Sequence, residues 1–310
     1  MIVDVHYHNI INMSEKAARA NLPLMIHIAQ EMGVEADPES LVKTAMETWG
    51  NPTGEKLIET MDVGGIDVTV AVSADDYSNP VYTIEGVKRS NRLLSEAAQR
   101  FSRRIVPLAA LDPRRPEAVE LANLYLGDYG MRGFKYHPDN GYDPSGPESY
   151  KVLEVLAKHQ GILLTHTSPL SPPSRSKYSE PMLLADMGVD FPEITVIAAH
   201  MGGYINWRPW AALASVQPSL YGDLAMWDTL AYHQYDLFCR ELRTIIDFVG
   251  ADKILFGSDA PIHTIVRPIK DWVQTIRELP EKAPAGIYFT KEEIDLILGG
   301  NAAKILKLDH

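Results

Sequence analysis

The 310-residue chain is predicted to form one (β/α)8 barrel that spans residues 1–310. Eight short apolar stretches rich in β-branched residues are typical of strands. Amphipathic stretches lie between them, several ending in glycine, and this alternation predicts a parallel sheet. An open, doubly wound sheet is the rival, but the first βα unit has no G-x-G-x-x-G turn. Eight repeating units therefore favour the closed barrel.

The predicted elements follow one another along the chain. The strands are residues 2–8, 67–73, 105–111, 132–137, 162–166, 194–200, 219–225 and 253–259. The helices are residues 54–65, 83–100, 116–130, 149–161 and 241–252, followed by a C-terminal helical stretch, 290–308, with a break at Gly299-Gly300. Residues 9–53 depart from the repeat, and so long a connection is predicted to be a lid or insert.

Composition excludes several classes of protein. The net charge is −12, with 41 acidic and 29 basic residues, so neither nucleic acid nor an anionic membrane is an expected partner. The single cysteine, Cys239, excludes an intrachain disulfide and a zinc site built on several thiolates. It lies in a helical pattern, so a buried apolar role is expected. We find no signal peptide and no apolar stretch long enough for a membrane span, which favours a cytoplasmic protein.

Polar residues occur where several predicted strands end. His6 and His8 lie two residues apart in the first strand, so they share one face and can bind one metal ion. His166 ends the fifth strand, His200 the sixth and Asp259 the eighth. Chemistry in a (β/α)8 barrel takes place at the carboxyl ends of the strands. Each residue alone would more often be structural, but together they predict a metal site.

The sequence resembles the amidohydrolase superfamily, and within it the branch typified by amino-carboxymuconate-semialdehyde decarboxylase. The matching motifs occur in order along almost the whole chain: DVHYH, GEKLIETMDVGGIDVTV, GFKYHP, THTSP, FPEITVIAAHMGG, LFGSD and GGNAAKIL. As a set they are specific for the superfamily and less so for the branch. They do not identify a substrate.

The resemblance implies that His6, His8, His166 and Asp259 hold one divalent metal and that His200 acts beside it as an acid, base or polarising group. Three nitrogens and a carboxylate suit zinc, with manganese and iron as alternatives. A second arrangement stays open, because other branches bridge two metals with a carboxylated lysine at the end of strand four, where this chain has Lys135. The residues MGG after His200 resemble the mononuclear branch, and one metal is favoured.

Substrate contacts are predicted for Arg208, Lys135 and His137. The spacing that supports Arg208 is only a loose match. Lys135 and His137 each have a plainer alternative, a salt bridge inside the barrel for Lys135 and a capping contact before a proline for His137. Further cationic residues of the predicted mouth loops favour an anionic substrate, although a solvated surface role is expected for most of them. They are Arg175, Lys177, His263 and Arg267.

The expected function is that of a metal-dependent hydrolase, in which metal-activated water attacks an amide, a lactone or a related carbonyl of a small anionic substrate. Asp259 would accept the proton of the water and His200 would support the oxyanion.

The alternative is a metal-dependent, non-oxidative decarboxylase of a small aromatic or unsaturated carboxylic acid. Some decarboxylases of the branch begin with Glu-x-His where this chain has His-x-His, which favours the hydrolase. A third hypothesis is a non-enzyme, a barrel that keeps a metal for structure or binds a ligand. A homo-oligomer, most simply a dimer, is expected.

Overall fold

A computed structural model describes residues 1–308 of the chain. Its eight parallel strands form one sheet in which they are hydrogen-bonded in chain order. This order, with helices between successive strands, is that of the (β/α)8 fold, so the predicted fold class is confirmed. The strands are β1 (Val3–His8), β2 (Val68–Val72), β3 (Ile105–Ala110), β4 (Gly133–Tyr136), β5 (Ile162–His166), β6 (Thr195–Ala199), β7 (Leu220–Asp223) and β8 (Ile254–Leu255).

The α-helices account for much of the remaining chain. They are α1 (Glu15–Ala20), α2 (Leu22–Glu31), α3 (Pro38–Thr48), α4 (Glu55–Gly64), α5 (Ile84–Arg100), α6 (Ala118–Leu126), α7 (Pro147–Lys158), α8 (Met187–Asp190), α9 (Trp207–Ala214), α10 (Trp227–His233), α11 (Tyr235–Val249), α12 (Ile269–Arg277), α13 (Leu279–Lys282), α14 (Lys291–Asp295) and α15 (Asn301–Leu306). Among residues 1–308, none of these helices has the length and apolarity that crossing a membrane requires.

By its contacts the chain divides into two compact units. The first comprises Met1–Val70, Arg103–Ile105 and Leu224–His310, and the second comprises Ala71–Ser102 and Val106–Asp223.

In the first unit, β1 lies alongside the chain segment that begins with β8. The Val5 N–H donates to the Phe256 carbonyl at 2.9 Å, and a parallel bridge joins Tyr7 to Ala260. The predicted strand 253–259 is therefore too long, since β8 itself has two residues. Asp259 in particular cannot belong to the strand, because its φ of +54° is a left-handed conformation.

Residues 9–53 also belong to the first unit and contain three helices that the sequence interpretation missed. Asp37 caps α3 by accepting from the Ser40 N–H, and Pro38 is its first residue. The three helices pack around a small core to which Ile265, from the segment after Asp259, also contributes. It is composed of Ala18, Met25, Ile28, Met32, Leu41, Val42, Ala45, Trp49 and Ile265. The segment is a packed helical insert, and its role as a lid stays a prediction.

The C-terminal helical stretch differs from the prediction at its centre. Instead of a break at Gly299-Gly300, residues Leu296–Gly300 form a π-helical turn that continues into α15. A Cβ on Gly299 would lie 2.3 Å from the Met1 carbonyl oxygen. The glycine is therefore required for the close approach of the helix to the N-terminal segment.

In the second unit, the strands from β3 to β7 form four consecutive parallel pairs. Lys135 of β4 lies opposite Ala110 of β3 and Leu164 of β5, and Leu164 lies opposite Ile197 of β6. His166, the last residue of β5, lies opposite Ala199, the last residue of β6. Parallel register therefore places His166 level with the residue that precedes His200.

Candidate metal centre

The first unit brings together His6, His8 and Asp259. The Nε2 atoms of the two histidines lie 3.2 Å apart, as expected for residues that share one face of a strand. Asp259 Oδ1 lies 2.9 Å from His8 Nε2 and 3.5 Å from His6 Nε2. The ligand atoms of all three residues lie within 4.8 Å of one another. Three of the four residues predicted to bind the metal thus form one compact group.

Backbone contacts hold the group in place. The Asp259 N–H donates to the His6 carbonyl at 2.9 Å, which fixes the carboxylate beside β1. The buried Asp4 carboxylate accepts from the His6 N–H at 3.0 Å, from the Ser258 N–H at 3.0 Å and from the Ser258 hydroxyl at 2.6 Å. Asp4 therefore joins β1 to the segment that carries Asp259.

Asp4 is a residue that the sequence interpretation missed. The signal is present in the motif DVHYH, because positions 4, 6 and 8 share one strand face. A carboxylate on the same strand face as two imidazoles can support metal ligands as readily as it can be a ligand itself.

The donor set of this group fits a divalent metal. Imidazole nitrogens and a carboxylate oxygen are the ligands that zinc, iron and manganese accept. His6 is fully buried and Asp259 is 7 % exposed, so an ion here would be largely shielded from water. Two ligand nitrogens at roughly 2.1 Å from one ion and at a tetrahedral angle lie about 3.4 Å apart. The observed 3.2 Å between the histidine nitrogens is close to this spacing.

A further buried residue, His263, lies beside the group in the first unit and is paired in turn with the buried Asp228. His263 Nε2 lies 3.9 Å from Asp259 Oδ2, and His263 Nδ1 lies 3.3 Å from Asp228 Oδ1. Burial, the largest single influence, lowers the pKa of His263, but the charge of Asp228, its hydrogen bond and the charge of Asp259 together outweigh burial and raise the pKa to about 9. His263 was grouped with the mouth cations, and Asp228 was missed because nothing in its local sequence links it to His263.

The second unit contains His166 and His200. His200 Nε2 lies 3.1 Å from His166 Nδ1, and the two rings meet edge-on at a centroid distance of 4.8 Å. His166 Nε2 lies 2.6 Å from the Ser168 carbonyl oxygen. Burial lowers the pKa of His166 to about 4, so this imidazole is neutral near pH 7, the form that binds metals.

The turn after β6 has a specific backbone conformation. His200 and Met201 have φ values of +68° and +56°, and Gly202 and Gly203 follow with φ of +86° and +79°. The His200 N–H donates to Asp223 Oδ1 at 2.8 Å, which compensates in part for the cost of this conformation. This turn contains the MGG motif and begins at the histidine itself.

His137 and Asp139 lie next to His166. The His137 ring stacks on that of His166 at a centroid distance of 5.6 Å, and its Nδ1 lies 3.3 Å from Asp139 Oδ1. Burial alone would raise the pKa of Asp139, but His137 and His166 hold it well below its usual range. The ligand atoms of these three residues also lie within 4.8 Å of one another, and Asp139 was missed by the sequence interpretation.

Lys135 is buried on β4 and lowers the pKa of His166 through its charge.

Arg208 and three of the further cations of the predicted mouth loops are more exposed than Lys135. Arg208 lies at the surface on α9, with its guanidinium 4.4 Å from the ring centre of Trp207. Arg175 and Lys177 are exposed in the segment after β5, and Arg267 stacks on Tyr232 at 4.4 Å. A further buried cation of the second unit, besides Lys135, is Arg115, which the sequence interpretation missed. It forms a bidentate ion pair with Asp75.

Comparison with known proteins identifies the family. A family model described as amidohydrolase matches residues 53–308, and the chain therefore belongs to the amidohydrolase family. The matched range contains His166, His200 and Asp259 but not His6 and His8. None of the curated proteins matches the chain.

Several solved structures share the fold over the full length. An uncharacterised TIM-barrel protein from Bordetella bronchiseptica has 18% identity and a TM-score of 0.70, with 99% of this chain and 98% of that chain covered. The 5-carboxyvanillate decarboxylase of Sphingomonas paucimobilis has 15% identity and a TM-score of 0.67, with 99% of both chains covered. A dihydroxybenzoic acid decarboxylase of a Polaromonas species, with bound manganese and the inhibitor 2-nitroresorcinol, has 16% identity and a TM-score of 0.67, with 100% and 97% covered.

Proposed function

We propose that the chain is a metal-dependent, non-oxidative decarboxylase of a small aromatic or unsaturated carboxylic acid. The observation that carries this proposal is the full-length match to decarboxylases of this type, one of them with bound manganese and an inhibitor. This match favours decarboxylation over hydrolysis, whereas the sequence alone favoured hydrolysis. The group formed by His6, His8 and Asp259 supports the proposal, because it offers ligands that manganese accepts.

The proposed ligands of the single metal are His6, His8, His166 and Asp259. His8 and His166 are the last residues of β1 and β5, and the strands of a (β/α)8 fold direct their carboxyl ends toward the same face. When bound, the metal supplies a Lewis acid that polarises and orients oxygen atoms of the substrate. Zinc stays the first metal expected from the ligands, and manganese is the one found in a similar structure.

His200 is proposed to hold the proton that the substrate receives. Decarboxylation places a proton on the carbon that carries the carboxylate, the bond between these two carbons breaks, and carbon dioxide leaves. His200 is buried, its backbone N–H donates to Asp223, and its Nε2 lies 3.1 Å from His166 Nδ1, so both its backbone and its ring are held. Arg208, Lys135 and His137 are the proposed contacts of the anionic substrate.

Hydrolysis is the second candidate, and the His-x-His pair of β1 favours it. In that case Asp259 accepts the proton of the attacking water and His200 stabilises the developing oxyanion. Both activities use the same residues, so the reaction products must distinguish them.

The test is a product assay on purified protein loaded with Mn²⁺ or Zn²⁺. The panel contains 2,6-dihydroxybenzoate, 5-carboxyvanillate, other hydroxybenzoates, and lactones and amides of similar size. We expect release of carbon dioxide with formation of the corresponding phenol, and loss of both in the His200→Asn variant. Proton release from a lactone or amide without carbon dioxide would replace the decarboxylase by the hydrolase. Absence of turnover across the panel with metal fully bound would contradict both.

A further inference from the structure

The two carboxylate oxygens of Asp259 face different partners. Oδ1 lies 2.9 Å from His8 Nε2 and is directed toward the histidine pair of β1. Oδ2 lies 3.9 Å from His263 Nε2. A carboxylate can bind a metal through one oxygen or through both, and the choice depends on what holds the second oxygen. The environment of Oδ2 therefore bears directly on how Asp259 would bind a metal.

His263 is itself held on its other side. Its Nδ1 lies 3.3 Å from Asp228 Oδ1, and both side chains are about 5% exposed or less. Neither of these two buried atoms has a hydrogen-bond partner elsewhere in the described part of the chain. Each atom thus depends on the other for electrostatic compensation, because a buried polar group without any partner is costly.

The backbone keeps these three residues in a fixed arrangement. The His263 N–H donates to the Asp259 carbonyl at 3.1 Å, so His263 lies one turn after Asp259. Asp228 is the second residue of α10, an element separate from that turn. Trp49 of the insert donates through Nε1 to the Pro261 carbonyl at 3.1 Å, within the same turn. The imidazole of His263 therefore lies between two carboxylates whose positions are set independently.

We propose that Asp228 and His263 are positioning residues for Asp259. His263 attracts Oδ2, Asp228 fixes the ring of His263, and Oδ1 is thereby presented alone to the metal. This inference rests on the proposed metal role of Asp259. A function for the pair in metal binding accounts for its location beside Asp259.

The experiment measures the dissociation constant of Mn²⁺ by chelator competition, together with the melting temperature, in the full-length protein. His263→Phe keeps a ring and removes both nitrogens, and we expect Mn²⁺ binding to weaken about 10–100-fold. His263→Gln retains an N–H donor and should restore part of the loss. Asp228→Asn should weaken binding in the same direction. The matched control is His27→Phe, since His27 lies on α2 in the same unit with its side chain 58% exposed.

A double variant tests the order of action. Because Asp228 is proposed to act through His263, combining Asp228→Asn with His263→Phe should weaken binding no further than His263→Phe alone. Additive losses, or wild-type Mn²⁺ binding in a folded His263→Phe protein, would overturn the inference. If His263→Phe does not fold, the Gln and Asn variants decide by the same criterion. Failure of the wild-type protein to bind Mn²⁺ or Zn²⁺ would instead overturn the proposed function.

Discussion

His6 and His8 direct their Nε2 atoms to within 3.2 Å of each other on one face of β1. Two neutral imidazoles can share a hydrogen bond at this distance, and they can equally be neighbouring ligands of one ion. The position of the Asp259 oxygen, 2.9 Å from one nitrogen and 3.5 Å from the other, favours the second interpretation.

The protein should contain about one equivalent of divalent metal per chain. His6→Asn and His166→Asn should each lose most of it, because each change removes one proposed ligand. Elemental analysis of the purified variants measures the effect, and His27→Asn, at an exposed position of α2, is the control. Full metal content in both ligand variants would remove these residues from the site.

Lys135 should remain an ordinary lysine that bridges no metals. The MGG turn after His200 resembles the mononuclear branch. Intact-protein mass and anomalous scattering from crystals at the metal absorption edge test this directly. Two metal peaks about 3.5–4 Å apart, with added density on Lys135, would contradict the prediction and make His200 a ligand.

His200→Ala should retain metal and lose activity. A missing general acid or base typically costs about 10²–10⁴-fold in rate. Metal content, melting temperature and the rate of carbon dioxide release are measured on the same preparation. A ligand role would lower the metal content as well, and a structural role would lower the melting temperature while sparing the rate.

Trp49→Phe should destabilise the helical insert. The change removes the hydrogen bond from Nε1 to the Pro261 carbonyl and part of a buried ring, and we expect a loss of about 1–3 kcal/mol in the free energy of unfolding. Urea titration followed by circular dichroism measures it. Met46→Ala, on the exposed side of α3, should change stability by less than about 0.5 kcal/mol. Equal stabilities of the two variants would contradict the packing described for Trp49.

Cys239 should be unreactive in the folded protein and should make stability depend on pH in alkaline solution. Burial raises the pKa of its thiol to about 11, although a hydrogen bond with Tyr235 lowers it in part. Because the folded pKa exceeds the unfolded value, this contribution to stability is complete below about pH 9 and is lost as the pH rises toward about 11. The difference in unfolding free energy between the wild type and Cys239→Ala should therefore shrink over this interval. Rapid alkylation of the native protein by iodoacetamide at pH 8 would refute the buried state of the thiol.

Much of the fold could be predicted from the sequence, since eight apolar runs alternating with amphipathic stretches are a local signal. The strands that end in His8 and His166 were placed to within a residue or two. The i, i+2 spacing of His6 and His8 also decides that they share a face. The helices of residues 9–53 were missed although a local signal exists, since Asp37-Pro38 is a typical helix start.

The tertiary structure alone decided which distant residues support the site. Nothing in the sequence around Asp228 indicates that its carboxylate lies 3.3 Å from His263, 35 positions away. Asp259 was expected at the end of a strand, whereas its left-handed backbone places it beyond β8, beside the His6 carbonyl. Local patterns specify which elements form, because periodicity and capping act over a few residues. The orientation of a carboxylate depends on partners that only the folded chain brings together, so it cannot be predicted from the residues that flank it.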